Sequence, residues 1–355
     1  MKVGIVSDLH FGMKRGSEQF LNSQLQFFKN QFIPDLIKRG IDTIIIPGDF
    51  FDNRIALDNR ILKHILDLFD NEFKNFNIHI IVGNHDSYLE SSIHINSLRV
   101  FEFYKNVKIY EKNESIEIGG RKLFMCPWVT DSNKFLEELK TVENHDICIG
   151  HFNFQNFLMF KDQEADHGLS PELFYEKFKL TISGHFHTRS SKKIGESEIV
   201  YIGNPYHMTR NDIGDERGYT ILDLDNLNLE FVENTESIKF VKYTYPEELT
   251  EKDIRNNHVD IYVKFDQTLN ESEVDKYFEQ LESYKPAFPL NKKTINILNN
   301  SKVSDDLSSY TVPELIKECM KNQNFENKED ILKLLFELYD DCKNSMWGKH
   351  GKNGS

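Results

Sequence analysis

Ile78-His79-Ile80-Ile81-Val82-Gly83-Asn84-His85-Asp86 joins an apolar, β-branched run to a glycine and then to three side chains of cation-binding type. A short run of that composition predicts a buried strand. The polar group stands where the strand ends, which is where α/β sheets gather their ligands. The same join recurs along the chain. Residues 2–6 run into Ser7-Asp8-Leu9-His10, 43–46 into Pro47-Gly48-Asp49, 147–149 into Gly150-His151, and 180–182 into Ser183-Gly184-His185-Phe186-His187. In four of the five turns a glycine stands directly before the first ligand type; Ser7 takes that place in the other. Glycine there is expected to give a tight turn or a positive φ that aims the next side chain at a common centre. Pro47 lacks an N–H for a sheet ladder, so its strand must end before it.

Helical patterns lie between these runs. Residues 17–39 place Phe20, Leu21, Leu25, Phe28, Phe32, Leu36 and Ile37 at helical spacing, and Pro34 is expected to kink or split that helix. Asp58 caps a second pattern carrying Ile61, Leu62, Ile65, Leu66, Phe69 and Phe73. Alternation of strand and helix to about residue 86 makes this half α/β. Further strands are expected at 199–202 and 218–224. The pattern changes near 237–246. A strand at 259–265, a polar helix at 271–284 and a strand at 294–298 then predict a small α+β appendage. The expected division is a catalytic domain over 1–237, a capping domain over 238–299, a linker over 300–309, a helical element over 310–343 and a disordered tail over 344–355. Thr311-x-x-Glu314 has capping-box spacing, and the two expected helices carry Leu315, Ile316, Cys319 and Met320, then Ile331, Leu332, Leu334, Leu335, Leu338 and Tyr339.

The chain has 355 residues, of which 28 are phenylalanine, so aromatic rings carry much of the core. Its formal net charge of −14 argues against a protein that holds duplex DNA alone by electrostatics. It is compatible with a carboxylate-rich metal site, whose bound cations offset that charge, and with a partner that supplies phosphate contacts. Cys126, Cys148, Cys319 and Cys342 form no CxxC pair, and Cys148 reads as a small core residue. No stretch approaches the ~18 apolar residues of a membrane span. A cytoplasmic protein without membrane contact is expected.

Asp8, His10, Asp49, Asn84, His151, His185 and His187 are the candidate metal ligands. Asp8 and His10 are two apart and share a face if the segment is extended. A carboxylate such as Asp49 has two oxygens and can bridge two cations. The mixture of oxygen and nitrogen donors suits manganese first, with magnesium, iron or zinc as alternatives. Seven ligands exceed one tetrahedral site and fit two ions ~3.5–4 Å apart. Alone, each motif has an ordinary explanation in turn chemistry; in this order at successive strand ends they read as one centre. Asp86 is either the residue that orients His85 or a turn former. His207 follows Gly203-Asn204-Pro205 and is a candidate to line the site. Arg189, Lys192 and Lys193 read either as a solvated basic face or as contacts to a phosphate backbone.

Asp-x-His, Gly-Asp, Gly-Asn-His-Asp, Gly-His and Gly-His-x-His in that order resemble the calcineurin-like metallophosphoesterases. The stretch 44–52, Gly203-Asn204-Pro205 and Asp166-His167-Gly168-Leu169 resemble the SbcD-type nuclease subunits among them, including those of phage. The motif resemblance covers about residues 1–235. It implies a two-sheet sandwich flanked by helices, with a small α+β capping domain and C-terminal helices. It implies that Asp8, His10, Asp49 and His187 hold one ion and Asp49, Asn84, His151 and His185 the other, with His85 aiding the leaving group. Some relatives carry histidine where this chain has Asp52, which leaves Asp52 a turn or supporting role. The resemblance further implies a DNA exo/endonuclease, a homodimer, and an SbcC-type coiled-coil ATPase docked on the C-terminal helices. A phosphatase or cyclic-nucleotide phosphodiesterase with the same metals is the competing enzyme class. A non-catalytic DNA-end-binding scaffold is a third class, which the complete ligand set opposes.

Overall fold

A computed structural model describes residues 1–89, 91–160, 163–265, 269–296, 328 and 331–336. Two six-stranded sheets pack face to face. The first has the order Leu229–Glu233, Gly218–Asp223, Lys2–Ile5, Thr43–Ile46, Asn77–Ile81, Val107–Tyr110. Its last four strands are mutually parallel, and Gly218–Asp223 runs antiparallel beside Lys2–Ile5. The second has the order Ser190–Ile194, Ser197–Tyr201, Leu180–Gly184, Ile147–His151, Arg121–Cys126, Glu114–Ile118, with its central four strands parallel.

Side-chain alternation explains why the central strands are largely apolar at successive positions. Ile45 faces the interior of the sandwich while Ile44 and Ile46 face the helices; in the other sheet Ile147 and Ile149 face inward and Cys148 outward. A strand covered on both faces needs apolar residues at both phases of its period of two. The outer layers are largely phenylalanine. Phe27, Phe28, Phe32, Phe50, Phe69, Phe73 and Phe101 cover the first sheet, and Phe152, Phe154, Phe174 and Phe178 the second.

Pro34 does not split its helix. Glu18–Gln26 passes through a π-helical stretch, Phe27–Phe32, into Ile33–Lys38, and Pro34 occupies the first turn of that last segment. The wider turn bonds Ile33 N to Phe28 O and leaves proline where a missing N–H costs little. It also turns Phe27, Phe28 and Phe32 into the core together. Asp58 caps Asn59–Leu68 as expected, through the N–H of Arg60.

After the sandwich, Phe240–Thr244, His258–Phe265 and Asn291–Asn296 form a three-stranded sheet, with the helix Glu271–Ser283. The last strand starts three residues earlier than its apolar residues alone suggest. Val259, Ile261, Leu249, Ile254 and Leu281 give this layer its own core. It is joined to the sandwich through Phe20, whose ring stacks on Phe240 and His258 at 6.1 and 5.5 Å. Contacts group residues 1–263 and 269–294 into one compact unit and 264–268 with 295–355 into another. In the latter, residues 328 and 331–336 are helical. The linker, most of the C-terminal helical element and the tail lie outside the described residues. Among the described residues no helix is long and apolar enough to cross a membrane.

Candidate metal centre

The expected ligands come from the C-terminal ends of five parallel strands, three in one sheet and two in the other. Asp8 and His10 follow Lys2–Ile5, Asp49 follows Thr43–Ile46 and Asn84 follows Asn77–Ile81, while His151 ends its own strand and His185 follows Leu180–Gly184. Because the sheets face each other, these ends meet. All seven side chains are brought together. Asp8, His10 and His187 form one group and Asp49, His151 and His185 another, the donor atoms in each lying within 4.8 Å of one another. Asp49 Oδ2 stands between the groups, 3.3 Å from His151 Nε2 and 3.7 Å from His10 Nε2. Asn84 Oδ1 joins the second group, 2.9 Å from His151 Nε2 and 3.0 Å from His185 Nδ1.

The local geometry differs from an extended Asp-x-His. Asp8, His10, Asp49 and His185 themselves take left-handed φ values of 54, 44, 51 and 88°. Such a backbone costs a non-glycine residue ~1–3 kcal/mol and persists only where the surroundings impose it. Here they do: Asp8 N donates to Gly48 O, His10 N to Asp49 O, and His185 N to Asp8 Oδ1. The glycines serve a different purpose from the one expected. Only Gly48 of the four has a positive φ. What they give is closeness: a Cβ on Gly184 would lie 2.2 Å from Ser7 Oγ, and one on Gly48 2.3 Å from His151 Nδ1. Without them the two sheets could not close on one point. Pro47 also acquires a role, because its carbonyl accepts from Ser7 Oγ and pairs with His151 Nδ1 at 2.7 Å.

These contacts require positive charge in the pocket. His151 Nδ1–H donates to Pro47 O, and its Nε2 faces the Asp49 and Asn84 oxygens, which attract either a proton on that nitrogen or a cation beside it. His10 Nε2 and His187 Nε2 lie 3.1 Å apart, and Asp8 Oδ2 is buried with no hydrogen-bond partner. So many oxygens and ring nitrogens gathered in a buried site need protons or cations among them. The titration pattern has the same origin. Burial alone would lower His151, yet Asp49 and Asp8 raise it to about 9. Burial lowers His185 to about 3 and pushes His187 well down, keeping both rings neutral donors. Asp49 is held well below the usual carboxylate range against its burial, chiefly by His151, and burial raises Asp8 to about 6. The donor set therefore fits divalent metal ions.

The surrounding residues divide by contact. His85 N donates to Asp49 Oδ1, its Nδ1 pairs with the Asp52 carbonyl at 2.9 Å, and its ring stands edge-on to His10. Asp52 Oδ1 also lies 3.3 Å from His10 Nδ1. Asp86 does not orient His85. Its carboxylate takes the N–H groups of Phe50, Phe51 and Gly83, and so ties the Asp49 loop to the Asn84 loop. His207 is turned away from the ligands, accepting from Phe240 N and bonding Asp215 O, which pins the appended sheet. Arg189 is half-buried, its guanidinium 4.3 Å over the Phe231 ring, and Lys192 is tied to Glu164 and the Asn156 carbonyl. Lys193 remains exposed on its strand. His79 bonds the Tyr110 hydroxyl, and His167 is exposed beside Asp166.

Two supporting residues escaped the sequence reading. The Trp128 ring lies 5.0 Å from His185 and 6.0 Å from His151. Arg217 is buried, donates to the His187 carbonyl and to Asn204, and pairs with Asp212 and Asp215. Asn204 lies in the Gly-Asn-Pro segment and was within reach of a motif reading; Arg217 has two nearby acidic partners, Asp212 and Asp215, but its contacts to Asn204 and the His187 carbonyl come from distant loops and leave no local signal.

The chain matches the calcineurin-like phosphoesterase family over residues 1–189. It is 30% identical over 320 residues to exonuclease subunit 1 of Enterobacteria phage T4, covering 89% of this chain and 90% of that protein. It is 24% identical over 265 residues to the SbcD subunit of the SbcCD nuclease of Staphylococcus epidermidis, covering 65% and 69% of the two chains. A solved archaeal phosphodiesterase aligns with a TM-score of 0.36 at 17% identity, covering 66% of this chain and 99% of that one. With the ligand order, the sandwich and the phage and staphylococcal relatives together, the chain belongs to the calcineurin-like phosphoesterases and, within them, to the SbcD-type nuclease subunits.

Proposed function

We propose that this chain is the metal-dependent DNA exo/endonuclease subunit of a recombination or repair complex, acting on phosphodiester bonds through two divalent ions. The observation that carries this reading is the position of Asp49 between two ligand groups, each completed by imidazole nitrogens. Asp8, His10, Asp49 and His187 would hold one ion, and Asp49, Asn84, His151 and His185 the other. Manganese suits this oxygen and nitrogen set, with magnesium, iron and zinc as alternatives. Two such ions supply charge that offsets the anionic diester and lower the pKa of water toward neutrality.

His85 is the acid on the leaving side. Its Nδ1 is committed to the Asp52 carbonyl, so the protonated ring presents Nε2–H to the departing sugar oxygen. The part-buried ring keeps one edge on His10, which fixes its distance from the ligands. The names of both relatives, each a subunit of a nuclease, support a partner; an SbcC-type coiled-coil ATPase on the C-terminal helices and a homodimer are the assemblies proposed, in the cytoplasm of the cell or of the host. The appended three-stranded sheet would serve as the DNA-contacting cap, which a minimal phosphatase does not need.

The test is a comparison of substrates. Purified full-length protein with manganese is given linear duplex DNA, single-stranded DNA and a small phosphomonoester. Metal-dependent DNA cutting is expected. Hydrolysis of the small ester alone would identify a phosphatase instead.

A further inference from the structure

The two nitrogens of His10 have different surroundings. Nε2 lies 3.1 Å from His187 Nε2 and 3.7 Å from Asp49 Oδ2, inside the candidate centre. Nδ1 is buried on the other side of the ring. It makes no hydrogen bond to a described residue, and the carboxylate oxygen Asp52 Oδ1 stands 3.3 Å away. Backbone bonds hold Asp52 in that position. His10 N donates to Asp49 O, Phe11 N to Phe50 O and Asp52 N back to Phe11 O, at 3.0, 2.9 and 3.1 Å. The Asp52 carboxylate itself is 38% exposed, so the core does not require it.

A neutral imidazole carries one N–H and one lone pair. A carboxylate beside Nδ1 draws the proton to that nitrogen and leaves the lone pair on Nε2, toward the centre. The backbone carbonyl of the same residue accepts from His85 Nδ1 at 2.9 Å. One residue thus addresses two rings with two different groups, its carboxylate toward His10 and its carbonyl toward His85.

We propose that Asp52 is a positioning residue for the metal centre: its carboxylate accepts from His10 Nδ1–H and so fixes His10 Nε2 as the donor to a divalent ion. The inference rests on the metal-ion reading of the centre and adds to it a role for Asp52. Loss of the carboxylate should weaken the ion held with His10 and spare the ion held with Asn84, His151 and His185. The His85 bond should survive that loss, because its acceptor is backbone. His10, Asp52 and His85 also offer donor atoms within 4.8 Å of one another, so a further ion held by Asp52 itself is the competing reading.

Manganese titrations of the full chain, followed by the electron paramagnetic resonance of free manganese, test it with Asp52→Ala and Asp52→Asn. The unaltered chain should bind two ions. In Asp52→Ala one of the two should bind about 10–100-fold more weakly and the other as before, with Tm in the absence of manganese unchanged. Asp52→Asn should lose less, since its amide oxygen still accepts from Nδ1 but lacks the charge. Two unchanged affinities in Asp52→Ala overturn the proposal, and a fall in kcat beside them would place the carboxylate with His85 or the substrate. Equal weakening of both ions with a lowered metal-free Tm overturns it in favour of a structural role. A third ion, bound by the unaltered chain and lost in Asp52→Ala, overturns it in favour of a ligand role. Should Asp52→Ala fail to fold, Asp52→Asn carries the test, with a loss in one affinity expected and no loss overturning the proposal. If the unaltered chain binds no manganese, the metal-ion reading fails and this inference falls with it.

Discussion

Asp49 organises more of the centre than any other residue, because its two oxygens face different partners. Oδ1 fixes the backbone of His85, and Oδ2 stands between the two ligand groups. Asp49→Asn keeps the shape and removes the charge, so both ions should lose affinity together. On the proposed assignment manganese should stabilise the unaltered chain by binding its folded state, and the Asp49→Asn chain should show little of that rise in Tm, along with a loss of at least about 100-fold in hydrolysis. A variant with its full manganese-induced Tm rise would show that Asp49 is not shared. His85 offers the opposite pairing of readouts. It lies outside both ligand groups, so His85→Ala should keep the manganese-dependent rise in Tm and lose about 10²–10⁴-fold in kcat. Activity preserved with metal bound would remove His85 from the chemistry.

The elements themselves were largely readable. Thr43–Ile46 matches its apolar run residue for residue, and Asp58 caps where its pattern begins. The ligands were readable for the same reason: a strand buried on both faces is apolar throughout, so the first polar residue marks its end. What stayed hidden was conformational. Nothing local announces that Asp8, His10 and Asp49 turn left-handed, since that shape is imposed by hydrogen bonds between loops far apart in sequence. Asp86 read either as the residue that orients His85 or as a turn former, and its carboxylate, besides holding its own turn at Gly83, ties that turn to the Asp49 loop. The edge of the first sheet carries a pH-sensitive example of such cross-strand pairing. His79, on Asn77–Ile81, bonds the Tyr110 hydroxyl of the adjacent strand, and burial, then Lys108, lowers its pKa from 6.5 to about 4. Above pH 6.5 the ring is neutral folded or unfolded and contributes no pH dependence. Between pH 6.5 and 4 the unfolded chain takes up the proton first, so stability falls as pH falls and levels off below about 4. Allowing for the partial exposure of the ring, the loss is about 2 kcal/mol. His79→Gln should flatten that part of a urea-denaturation profile; an unchanged slope would show that the ring is readily protonated in place.

At the scale of the whole chain, the candidate metal centre and most of the appended sheet fall within one contact unit, residues 1–263 and 269–294. All seven candidate ligands and His85 belong to it. Among the described residues, its hydrophobic clusters close without a contribution from beyond 290. A chain with a net charge of −14 has little electrostatic hold on duplex DNA by itself, so the proposed ATPase partner supplies affinity while this subunit supplies the site. The two contributions should therefore separate physically. A chain ending at residue 299 should fold with a single cooperative transition, bind manganese, and retain metal-dependent cutting of short single strands within about threefold, since the core that shapes the site is intact. It should no longer bind the partner ATPase, because the apolar residues at 331, 332, 334 and 335 would be gone. Size-exclusion chromatography of the mixed proteins reads the second outcome and manganese-dependent thermal denaturation the first. Retained partner binding would move the docking surface onto the sandwich or its appended sheet, and loss of folding would mean that the C-terminal segment completes the core rather than reaching outward from it.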